Sequence, residues 1–89
     1  MSLATERRRG EQARRLLEEP LLVEAFATVE AGLRRQWETS RDGDKEMRER
    51  LWLMLNLLRR VHGLLTEAME TGRLAEAQLA ASRKTRGPG

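Results

Sequence analysis

Eighty-nine residues, a net charge of +3 and no cysteine exclude a large buried core, a disulfide framework and thiolate metal sites. Charged side chains make up 35% of the chain, but most cations have an acidic neighbour at helical spacing, so the basic balance alone does not mark a nucleic-acid binder. No run approaches the length of a membrane span or of a signal-peptide core, which points to a soluble, cytoplasmic protein.

Residues 1–3 are expected to fray. From about Ala4 to Leu17 the composition favours helix, with Ala13, Leu16 and Leu17 as a short apolar patch and Gly10 as a weak point. Glu18-Glu19-Pro20 is punctuation, because proline suits the first turn of a helix and disfavours helical geometry in the residue before it. One helix is therefore expected to end near Glu18 and a second to start at Pro20. Whether the chain breaks there or only kinks is left open.

From Pro20 to about Thr39, Leu22, Phe26, Val29, Leu33 and Trp37 follow one another in steps of three or four, the mark of a helix face. Thr39 to Asp44 is turn-like, with Gly43 suited to positive φ and Asp44 or Asp42 as N-cap of the next helix. From Asp44 to Thr71, Met47, Leu51, Met54, Leu58, Val61, Leu65 and Ala68 alternate steps of four and three. Leu55, Leu57 and Leu64 widen that seam. Gly72 sits where a C′ glycine would stop the helix, and Arg73 to Ser82 can form a last short helix anchored by Leu74 and Leu79.

The predicted fold class is all-α: an antiparallel hairpin of two long helices with short flanking N- and C-terminal helices. It forms one domain over residues 1–82, with a flexible basic tail over 83–89. Folding about Gly43 places Leu33 near Leu51, Val29 near Met54 or Leu55, Phe26 near Leu58, and Leu22 near Val61 or His62. The N-terminal helix, through Leu16 and Leu17, would cover Leu65, Ala68 and Met69.

Catalytic chemistry is not apparent. His62 is the sole histidine, and its helical neighbours Leu58, Arg59, Leu65 and Thr66 make no metal set. There is no phosphate-cradling glycine loop or nucleophile motif, so the chain reads as a non-enzyme without cofactor. Trp37 is expected to close the hairpin near its loop. Trp52 lies about 100° round the helix from Leu51, and with Leu53 and Leu57 it forms the candidate protein interface. Gly63 in mid-helix fits either a close helix approach or an exposed position.

Arg7, Arg8 and Arg9, together with Arg83, Lys84 and Arg86, are the candidate phosphate contacts. Asp42 and Asp44 before the strongest helix are poor chemistry for a recognition helix entering a groove. A short chain with surplus apolar surface is expected to form homo-oligomers.

Several pieces also occur together in a known order: Arg9-Gly10 then Ala13 and Leu16-Leu17, Pro20-Leu21-Leu22 with Ala25-Phe26 and Glu30, Trp37, Arg48-Glu49-Arg50-Leu51-Trp52, and Thr71-Gly72-Arg73-Leu74-Ala75. In this order the chain resembles a group of small helical proteins encoded by tailed bacteriophages and prophages. Glu19 stands where such proteins commonly carry Asn or Asp, a better N-cap. The resemblance implies a helical phage protein from the DNA-packaging and particle-assembly genes, active in the host cytoplasm with another phage assembly protein as partner. It carries no catalytic residues to transfer. A small-terminase-like nucleic-acid-binding accessory and an inhibitor of a host enzyme are the alternatives.

Overall fold

The computed structural model describes residues 2–41 and 43–85, with side chains through Arg83. Three α-helices make up the chain: α1 (Leu3–Glu18), α2 (Pro20–Thr39) and α3 (Lys45–Thr85). This is all-α, as the spacing predicts, but not two long helices with short flanking ones. α1 has 16 residues, α2 has 20 and α3 has 41. The expected C-terminal helix is the continuation of α3. Arg83 belongs to that helix, and residues 86–89 of the expected tail lie outside the described residues.

Local chemistry explains the ends. Ser2, expected to fray, instead caps α1: its Oγ accepts the Thr5 N–H at 3.2 Å and its hydroxyl donates to Thr5 Oγ1 at 2.9 Å. The chain breaks fully at Glu19, whose φ of −68° and ψ of 117° are extended, with Pro20 in the first turn of α2. Glu19 makes no side-chain cap. Hydroxyls close α2, Thr39 donating to the Arg35 carbonyl at 3.0 Å and Ser40 to the Trp37 carbonyl at 2.6 Å. Asp44 caps α3, its Oδ1 accepting the Met47 N–H at 3.1 Å. Asp42, the other expected cap, lies outside the described residues. Neither Gly43 nor Gly72 takes positive φ, so the turn closes without a left-handed glycine and α3 runs through Gly72.

The chain divides into two compact units, one of α1 with α3 from Leu64 onward, the other Glu19–Gly63. In the first, α1 packs against α3 in the antiparallel sense. Gly10, Ala13, Gly72 and Ala75 are buried there. A Cβ built on Gly10 would lie 2.6 Å from the Gly72 Cα and 3.0 Å from the Ala68 carbonyl oxygen. The two backbones touch at these glycines. The helix stop expected at Gly72 is overturned because the missing side chain serves packing rather than a turn. Arg7 pairs with Glu76 at 3.5 Å across the same contact.

The second unit is the predicted α2–α3 hairpin. Near the loop, the Arg48 guanidinium lies 4.4 Å from the Trp37 ring centroid, and Leu33 and Leu51 line one groove. Further along, the Phe26 ring meets His62 edge-on at 5.7 Å. That is one turn beyond the expected Leu58.

Candidate protein-interaction surface

Among the described residues, the buried apolar side chains are Ala13, Leu51 and Ala75. Large apolar side chains stay exposed, among them Leu21, Val29, Trp52, Leu53, Met54, Leu57, Val61 and Leu74. The reason lies in the rotation of α3. Its expected seam combines two rows repeating every seven residues. The row Leu51, Leu58, Leu65 is turned inward, buried or half-buried. The row Met47, Met54, Val61 is exposed. Leu55, one turn on from Leu51, is half-buried toward α2 instead, and His62 meets Phe26 while staying exposed. A helix with two overlapping seams can turn only one of them fully toward a single partner.

The second unit therefore has two unlike sides. On one, Leu33, Arg34, Trp37, Glu38, Leu51, Trp52 and Leu55 line an apolar-floored groove of about 260 Å³. Its rim is charged, and Arg34 holds Glu30 at 2.8 Å. Residues that lead the contact line on both antiparallel helices share this side, so those that lag it share the other. There, by helix geometry, Val29, Ala25 and Leu21 of α2 lie beside Met54, Val61 and Leu57 of α3. All six are exposed.

The three interface residues expected from the spacing do not form one patch. All are exposed: Trp52 56%, Leu53 60%, Leu57 66%. Five residues along a helix turn about 140°, which puts Trp52 in the charged-rim groove and Leu57 on the other flank, in the row of Arg50, Met54 and Val61. Leu53 sits close to Leu57. Met54 and Val61 escape sequence reasoning because their spacing fits the hairpin seam equally well. The hint is the width of the apolar arc, broader than one partner helix covers.

The candidate phosphate contacts scatter. Arg7, Arg8 and Arg9 project about 100° apart round α1. Arg7 and Arg83 converge on one carboxylate, Glu76, at 3.5 and 3.3 Å, and Arg8 donates to Thr5 Oγ1 at 3.4 Å. The Lys84 side chain and Arg86 lie outside the described residues. His62 packs on Phe26, and among the described residues no three His, Cys, Asp or Glu side chains group to hold a metal. Adding a Cβ to Gly63 meets nothing within 4 Å, so its position is open rather than a close helix approach. No helix among the described residues is long and apolar enough to cross a membrane.

No protein-family model, no characterised protein and no solved structure matches the chain.

Proposed function

We propose that this is a non-enzymatic, self-associating helical protein that serves as a DNA-packaging or particle-assembly factor of a phage or phage-derived particle. It works through protein–protein contacts made by apolar side chains left over once the helices pair, Trp52, Leu53 and Leu57 among them. One observation carries the self-association. Among the described residues Leu21, Val29, Met54, Leu57, Val61 and Leu74 are exposed, while the buried apolar side chains are Ala13, Leu51 and Ala75. Exposed leucine, valine and methionine side chains in such number mark a surface that a partner covers. The assembly role rests on the ordered motifs shared with small helical phage proteins. Light scattering at micromolar concentration tests the reading: the expected mass is at least twice 10.2 kDa, and a stable, folded monomer overturns it.

A nucleic-acid-binding accessory is the second reading, supported by the placement of Arg7, Arg8, Arg9 and Arg83 in one unit, where Arg7 and Arg83 share the Glu76 carboxylate. It expects duplex DNA to be retarded at low salt and released steeply as salt rises. Absence of retardation at low salt removes it.

A further inference from the structure

We infer that Arg7 and Arg83, at the end of the first unit where α1 begins and α3 closes, hold a phosphate of duplex DNA between them. Glu76 is the built-in competitor that occupies this seat until a phosphate displaces it. The inference rests on the nucleic-acid reading above and names its contact point and what restrains it.

The first observation is where the charge lies. Residues 19–63 hold eight basic and eight acidic residues, so the whole net charge of +3 belongs to the unit of α1 with α3 from Leu64 onward. Within that unit the imbalance sits in two stretches. Residues 1–10 and 76–89 carry six basic residues against two acidic ones, Glu6 and Glu76, whereas residues 11–18 and 64–75 carry three against four. The antiparallel contact of Gly10 with Gly72 sets the start of α1 beside the end of α3. Arg7, Arg8 and Arg9 therefore share one end of the unit with Arg83.

The second is geometry. Arg7 Nη1 lies 3.5 Å from Glu76 Oε2, and Arg83 Nη2 lies 3.3 Å from Glu76 Oε1. Two guanidinium groups from two helices thus grip one anion, each at its own oxygen. A phosphodiester likewise presents two charged oxygens on one centre, and the flat guanidinium fork suits it. The three side chains are open to solvent, Arg7 at 36%, Glu76 at 49% and Arg83 at 65%. Exposed ion pairs hold weakly, so an incoming phosphate meets little opposition from Glu76.

The third selects DNA over an acidic protein. Protein partners are anchored by large apolar or aromatic side chains, and no large apolar side chain is exposed over residues 2–10 or 76–83. Phosphate binding needs only the cations.

The test follows a duplex oligonucleotide by fluorescence anisotropy from low to physiological salt, with the full chain throughout. Wild type is compared with Glu76→Gln, Glu30→Gln and the double variant Arg7→Gln with Arg83→Gln. Glu30→Gln makes the same charge change but releases Arg34, 2.8 Å away, in the other unit. We expect Glu76→Gln to bind about three- to tenfold tighter than Glu30→Gln at low salt. The double variant should lose at least about tenfold, with a slope of log affinity against log salt shallower by up to about two. None of these side chains is buried, so helix content by circular dichroism should match in all four proteins. Polyglutamate that competes as well as DNA at equal charge overturns the phosphate assignment. No binding by any of the four removes the nucleic-acid reading itself. If wild type binds but Glu76→Gln is no tighter than Glu30→Gln, or the double variant binds as well as wild type, that reading stands and this site is gone.

Discussion

Glycine has opposite meanings at two kinds of position in this chain. At Gly10 and Gly72 the opposing backbone stands where a side chain would go, a built Cβ on either falling 2.6 Å from the other's Cα. Gly10→Ala or Gly72→Ala must push the helices apart, and either substitution is expected to cost about 1–3 kcal/mol, read as a lower midpoint in urea. At Gly63 nothing opposes the added methyl. Gly63→Ala should therefore stabilise the chain by about 0.8–1 kcal/mol through helix propensity alone. If all three substitutions shift the midpoint in one direction, the glycine contact is not what it looks like. Asp44 gives a third residue-level test. Its Oδ1 accepts the Met47 N–H at 3.1 Å, and Asp44→Ala should cost about 0.5–2 kcal/mol in the same titration.

At the scale of the element, the sharpest feature is the one-residue break between α1 and α2. Proline accounts for it from the backbone side, and Val23 N–H reaches the Glu19 carbonyl at 2.9 Å. The side chain of Glu19 leaves the first free N–H groups of α2 uncapped. Glu19→Asn should therefore raise stability by about 0.5–1 kcal/mol without changing helix content by circular dichroism. No gain would mean those groups are already satisfied by water at no cost. α3 shows the reverse case. A glycine that would ordinarily end a helix lies inside it at Gly72, because burial of Ala75 and close contact with α1 offset its poor propensity.

For the whole molecule the governing fact is surface. A chain that buries so few apolar side chains and leaves so many leucines in water is stabilised by whatever covers them, so its stability should depend on concentration. Diluting the protein from about 100 μM to 1 μM is expected to lower its melting temperature, and a concentration-independent transition would contradict coverage by a second copy.

Much is legible in the amino-acid order alone: helix at almost every described residue, an interruption at Pro20 whose sharpness stayed open, a cap at Asp44 or Asp42, and the hairpin about residues 40–44. These depend on neighbours within a turn or two of the chain. Proline geometry, capping carboxylates and apolar steps of three and four act over that distance. What only the tertiary structure decided was which apolar residues are covered. Periodicity says that α3 has a greasy side, but the rotation of a helix about its own axis is set by the partner it packs against. Leu51 and Leu58 belong equally to a seam through Met54 and Val61 and to one through Leu55 and His62. Contact with α2 half-buried Leu55 and set His62 against Phe26, and left Met54 and Val61 in solvent. Likewise, only the meeting of two distant backbones could turn Gly10 and Gly72 from a weak point and a stop signal into a backbone-to-backbone contact between α1 and α3.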